Sequence, residues 1–225
     1  FVMGMLMFTP LVLFPGLLHD LRGYPDVAIG TILASRGVGN WLSFLIVVPF
    51  TRWNPRLAVA LGLAAQAFAG WAMAQLDLNL TAFDVVWTNI LQGFGFGLAF
   101  TPMTVLTFAT LDKAYMTEGS AVFNLLRNFG SSLFISASVV LLVRSTAASY
   151  GALSEAITPF NKALDYAAVL GRWSTETPTG LLALAGEIQR QAAMIGYINA
   201  FYLFALTAAL AVPLAFLMRD VPRTP

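Results

Sequence analysis

The chain has 225 residues, of which 58% are hydrophobic and only 10% charged, far below the quarter or so usual in soluble domains. Twelve Lys and Arg against eleven Asp and Glu leave a formal charge of +1, which excludes a basic nucleic-acid surface. With no Cys and one His, neither a disulfide framework, a thiolate or His-rich metal centre nor a cysteine nucleophile can be built, and no cofactor motif is present.

In chain order, the apolar residues form long blocks rather than amphipathic stripes, at or near the roughly 20 residues needed to cross a bilayer. Six spans are expected, at about residues 1–18, 27–50, 57–75, 83–111, 119–143 and 192–218. The breaks hold helix-ending and charged residues: Arg22-Gly23-Tyr24-Pro25-Asp26, Arg52-Trp53-Asn54-Pro55-Arg56, Asp77-Leu78-Asn79 and Asp112-Lys113. Such short turns make consecutive spans antiparallel hairpins. Only the connection at about 144–191 is long; within it 161–170 and 180–191 read as helical, and the second can run straight into span six. The fold class is all-α, a polytopic bundle of six transmembrane helices forming one domain over 1–225. Phe1 is not an initiator Met and no positive segment precedes the first apolar run, so no signal peptide is expected and the chain reads as part of something longer.

Basic residues set the expected orientation. The side reached after spans two, four and six carries Arg52, Arg56, Lys113, Arg219 and Arg223, against Arg22 in the short loop opposite. The former side is placed in the cytoplasm, with both ends of the chain. The long connection then lies outside, although Arg144 and Arg190 run against that assignment.

Arg36 and Arg127 interrupt the apolar blocks, each roughly 12 to 14 Å deep in a hydrocarbon layer about 30 Å thick. An unpaired cation there costs at least about 2.5 to 3.5 kcal/mol, which points to a protein interior or a wet cavity; snorkelling or helix locking is the bland alternative. Ser120, Asn124, Arg127, Asn128 and Ser131 share a helix face, as do Asp84, Thr88 and Gln92 with Asn89 beside them, and Asn40 follows Arg36 by one turn. Arg36, Asn40, Asn89, Gln92, Asn124, Arg127 and Asn128 are therefore the cavity or gating candidates. Taken singly, each Asn or Gln is better read as an interhelical hydrogen bond. Spans three and six, poorer in polar residues, are expected to face lipid. Gly93, Gly97 and Gly130 are expected to serve helix packing, and Pro10, Pro15 and Pro102 can bend their helices.

An internal echo links Arg36-Gly37-Val38-Gly39-Asn40-Trp41-Leu42 to Arg127-Asn128-Phe129-Gly130-Ser131-Ser132-Leu133. Both read Arg-x-x-Gly, a small polar residue, then x-Leu, and each lies in the second span of a three-span set. Three intervening spans invert the second set, the inverted 3+3 arrangement common among secondary transporters.

The series Gln92-Gly93-Phe94-Gly95-Phe96-Gly97 with Pro102, then Glu118-Gly119-Ser120-Ala121, and the run from Asn124 through Arg127 to Ser132 resemble the carboxy-terminal half of EmrB/QacA-type drug exporters of the major facilitator superfamily. Arg36-Gly37-Val38-Gly39 and the run Arg190 to Tyr197 with Asn199 and Phe201 are similar to further stretches of that half, so the resemblance covers nearly the whole chain. It implies the last six spans of a fourteen-span inner-membrane exporter, with the amino-terminal half absent. The implied activity is not enzymatic but proton-driven export of drugs or other amphipathic small molecules by alternating access. A periplasmic adaptor and an outer-membrane channel are partners in EmrB-like members, and QacA-like members work alone. Where such proteins carry a Gly-x-x-x-Asp-Arg loop, this chain has Pro49-Phe50-Thr51-Arg52-Trp53, so no gating role is carried over to it. The resemblance assigns no proton carrier, and Asp84, at a helix start, reads as a cap. Competing readings are an exporter of a lipid, siderophore or organic acid, and a six-span structural subunit that transports nothing.

Overall fold

A computed structural model describes residues 1–109, 111–155, 157 and 177–217. Among these residues the chain is helical with no strand, and six helices are long and apolar enough to cross a membrane. They are α1 (Val2–Gly16, continued by a wider π-helical turn over Leu17–Leu21), α2 (Asp26–Trp53), α3 (Pro55–Met73), α4 (Ala82–Phe108), α5 (Met116–Glu155) and α6 (Pro178–Leu217).

Local chemistry sets the ends. Gly23 has a φ of 66° between α1 and α2, a conformation that a residue without a Cβ adopts at little cost. Asn54 Oδ1 accepts a hydrogen bond from the Leu57 amide at 3.2 Å, and Pro55 supplies the first helical residue of α3. At α4 the Thr81 hydroxyl accepts from the Asp84 amide, while Asp84 Oδ2 accepts from the Thr81 amide at 2.8 Å, a reciprocal capping box. Asp84 is thus occupied as a helix cap.

Across the bundle the helices pack in the order α2, α4, α3, α6, α5, α1. One core cluster lies at the end bearing the α1–α2 and α3–α4 turns, built on Phe14, Leu17, Leu18, Met73, Leu80, Val85, Met194 and Phe201, with the Phe14 and Phe201 rings 5.0 Å apart. A second, toward the opposite end, gathers Met3, Leu6, Val59, Leu63, Leu106, Phe134, Phe204 and Ala208.

Two features differ from the sequence reading. First, the connection at 144–191 is much shorter than its length suggested. α5 continues unbroken to Glu155 and α6 begins at Pro178, so each has 40 residues, about 60 Å at 1.5 Å per residue and far more than a bilayer requires. No Pro lies between Arg144 and Glu155, where Gly151 stays within the helix, and Thr177 caps α6 by accepting from the Gly180 amide at 3.2 Å. The expected helical stretch 161–170 lies outside the described residues. Second, α3, expected with α6 to face lipid, is also packed on two sides. It lies between α4 and α6, whereas α2 and α5 are the least covered spans.

Candidate cavity face

The seams beside the two intramembrane arginines are closed by glycines, for a steric reason. A Cβ on Gly39 would overlap the Ile90 carbonyl of α4, and one on Gly93 would overlap the Arg36 carbonyl of α2. At the α1–α5 seam, a Cβ on Gly130 would overlap the Phe1 carbonyl and one on Gly4 would overlap the Arg127 carbonyl of α5. These partners correspond one to one: Arg36 with Arg127, Gly39 with Gly130, Gly93 with Gly4, Ile90 with Phe1. The Arg-x-x-Gly echo therefore has a physical content. In both three-span sets it brings the second helix backbone to backbone with the first helix of the other set, as small residues do in membrane helix pairs.

With their backbones fixed in this way, the two arginines project from the least covered helices. The Arg36 guanidinium sits over the Phe96 ring of α4, 5.4 Å from its centroid, and makes no ion pair or hydrogen bond with the other described residues. Asn40, one turn further along α2, lies beside Gly97, where a Cβ would come 2.5 Å from Asn40 Oδ1 and would overlap the Ser43 hydroxyl. Arg127 has a buried Nε with no hydrogen-bond partner among the described residues. On the same α5 face Asn124 donates to the Ser120 carbonyl at 2.9 Å, and both Asn124 and Asn128 are exposed.

No described carboxylate lies near the middle of a span. Asp26, Asp84 and Glu118 are in first turns, Asp20 closes the far end of α1, and Glu155 and Glu187 are on the extended parts of α5 and α6. Both mid-span charges are thus positive.

Asn89 and Gln92 occupy a different place. Both are fully buried, and Gln92 donates to Gln66 Oε1 of α3 at 3.5 Å, the long limit of a hydrogen bond. Asn89 donates to the Val85 carbonyl at 2.9 Å, leaving Asn89 Oδ1, Gln92 Oε1 and Gln66 Nε2 without partners among the described residues. The structure therefore yields three sets of polar residues: Arg36 with Asn40 against α4, a stripe of Asn124, Arg127 and Asn128 along α5, and a buried amide group at α3–α4.

A row of rings was not picked out from the sequence. Phe96 and Phe100 stack on α4 with centroids 5.2 Å apart, Phe100 is 6.3 Å from Phe123 of α5, and Phe123 is 5.5 Å from Phe108. All four are half-buried. The spacing of Phe96 and Phe100 was the available signal, since residues four apart stack on one helix face.

No protein-family model matches the chain. It is 23% identical over 166 residues to the "Colistin resistance protein EmrB" of Acinetobacter baumannii, covering 72% of this chain and 32% of the relative. It is 24% identical over 198 residues to the "Multidrug export protein EmrB" of Haemophilus influenzae, covering 87% and 39%. It is 25% identical over 219 residues to the "Fatty acid resistance protein FarB" of Neisseria gonorrhoeae, covering 96% and 42%. The chain spans less than half the length of these curated relatives. Six helices long and apolar enough to cross a membrane, together with these relatives, make it a multi-pass membrane protein.

Proposed function

We propose, from the premise of shared ancestry with the EmrB-type exporters of the major facilitator superfamily, that this chain is the carboxy-terminal six-helix half of a secondary exporter. It binds amphipathic small molecules between itself and a companion half and moves them outward by alternating access, driven by inward proton flow. The supporting observation is the contrast between two exposed surfaces of one bundle. The outward sides of α3 and α6 show Phe68, Trp71, Leu206, Leu210 and Leu214, a surface suited to lipid. The exposed side of α5 mixes Leu125, Leu126 and Phe129 with Asn124, Asn128 and the half-buried Arg127. Hydrocarbon does not solvate a guanidinium, so this second face meets a companion protein surface and a wet passage. A mixed apolar and polar wall also matches amphipathic cargo, whose body is held by burial and whose orientation is set by a few polar groups.

Within this reading Arg36, Asn40, Asn124, Arg127 and Asn128 line the passage, Gly93, Gly97 and Gly130 keep its helices close, and Asn89 and Gln92 brace α4 from behind. The setting is a bacterial inner membrane with both ends of the segment cytoplasmic; a periplasmic adaptor and outer-membrane channel are its partners where the export path crosses two membranes. Accumulation of an amphipathic drug in cells carrying the complete protein tests the function. Replacing Arg127 by Ala or Lys is expected to abolish export with expression intact. Undiminished export by both variants would remove Arg127 from the mechanism.

A further inference from the structure

We propose that Arg36 and Asn40 form a headgroup subsite for an anionic amphiphile, with the apolar body of the ligand lying along Phe96, Phe100, Phe123 and Phe108. The proposal rests on the exporter reading and deepens it by naming the sign of the cargo's charge.

The charge distribution comes first. Both ionised groups at mid-span are guanidinium ions, and every described carboxylate stands in a connection between helices, at a helix end or on the extended parts of α5 and α6. A cationic amphiphile entering this face meets two like charges, whereas an anion meets two opposite ones.

Donor geometry is the second argument. Arg36 offers five N–H donors, and its one contact of note among the described residues is the face of Phe96, which occupies none of them in a hydrogen bond. The planar fork of a guanidinium fits a carboxylate or sulfonate with two parallel hydrogen bonds. Asn40 stands one turn away on the same helix, with its amide nitrogen unpartnered among the described residues. An anion held by Arg36 therefore has a neutral donor at hand as well.

The ring row supplies the third. From the Arg36 guanidinium the centroid steps run 5.4, 5.2, 6.3 and 5.5 Å through Phe96, Phe100, Phe123 and Phe108. Along α4, Phe96 to Phe108 covers about 18 Å, from mid-span toward the end that carries the α4–α5 turn. Each ring is half-buried, so part of its surface remains accessible to an alkyl or aromatic body. Arg127 lies one turn beyond Phe123 on α5 and adds a second positive charge beside the row.

The test uses the complete protein reconstituted in phosphatidylcholine vesicles, which carry no competing anionic lipid, with a proton gradient applied. Transport of dodecanesulfonate and of dodecyltrimethylammonium is measured; the two share a tail and carry permanent, opposite charges. In the parent protein dodecanesulfonate is expected to be the better substrate. In Arg36→Gln the ratio of sulfonate to ammonium transport is expected to fall about tenfold or more, the scale of losing one charge-assisted hydrogen bond. Arg36→Lys, which keeps the charge without the fork, is expected to give an intermediate ratio and to show that the position tolerates replacement. An unchanged ratio in Arg36→Gln overturns the subsite, including the case in which both substrates slow equally because Arg36 holds an acid of the companion half. A parent protein that moves the ammonium but not the sulfonate also overturns it and leaves export standing. A parent protein that moves neither overturns the subsite, and the drug-accumulation assay then decides separately whether the exporter reading stands.

Discussion

At the scale of single residues, what matters most is where a Cβ is forbidden. Gly93 faces the Arg36 carbonyl, whereas Gly37, three residues from Asn40 on α2, has open space around it. Gly93→Leu is therefore expected to push α2 from α4 and lower stability by about 1–3 kcal/mol, the range for overpacking a close seam. Gly37→Ala is expected to be neutral or slightly stabilising, because Ala is the better helix former. Thermal melting of the detergent-solubilised protein compares the two; equal melting points would show that the α2–α4 seam yields. The Gln66–Gln92 pair invites a double-mutant cycle. Either Gln→Leu change alone removes one partner of a buried amide and is expected to cost about 1–2 kcal/mol, whereas the double Leu variant, with no polar atom left in that pair, returns close to the parent. Additive losses would mean that the two amides do not interact. The residues at this scale were largely legible as residues: an Arg, an Asn and a Gln in an apolar block stand out because each is expensive there. Their directions were not. Nothing in the local sequence distinguishes Gln92, turned to α3, from Asn40, turned to α4.

At the scale of elements, the helix count and turn positions were legible because both depend on short-range properties: a run of apolar residues long enough for hydrocarbon, then residues that break a helix. The lengths of α5 and α6 were less so. Arg144, Ser145 and Thr146 end the hydropathy of span five but not its helical backbone, which continues through Ala147, Ala148 and Ala152. Asn199 of α6 donates to the Ser145 hydroxyl of α5, one of the contacts that hold the two helices together where the apolar block fades. Which helix meets lipid also depends on packing, and the low polarity of α3 reflects its close fit between α4 and α6 as much as any contact with acyl chains. Cysteine labelling separates the two kinds of exposed surface, and this segment contains no native Cys to interfere. In the complete protein Asn128→Cys on α5 is expected to react with a water-soluble maleimide, and Leu210→Cys on α6 to remain unlabelled in lipid. Reaction at 210 without reaction at 128 would exchange the wet and lipid faces.

For the whole molecule, topology decides which compartment the extended parts of α5 and α6 enter. In the proposed orientation, where the end bearing Arg52, Arg56 and Lys113 faces the cytoplasm, Tyr150 and Gln189, on opposite walls of a groove of about 530 Å³ between the two helices, lie outside. Tyr150→Cys is then expected to be labelled in intact cells by a membrane-impermeant reagent; labelling only after permeabilisation would invert the bundle. Arg190, one of the two arginines that run against this orientation in the sequence, is held at that end by its own contacts: it pairs with Glu187 at 3.0 Å and reaches the Leu21 carbonyl at 3.4 Å. Part of its charge is thereby compensated locally.

By itself, the sequence determined the solvent, the number of crossings, the alternation of direction and the existence of an internal echo, since each is carried by residues within a few turns of one another. Tertiary structure alone decided what the echo accomplishes, which amides vanish into a seam, and how Arg36 comes to rest over Phe96 at the head of a row of rings drawn from two helices. Those outcomes depend on the rotation of each helix about its axis. That rotation is set by glycine contacts between segments many tens of residues apart, a coupling to which the hydrophobicity of any one segment is blind.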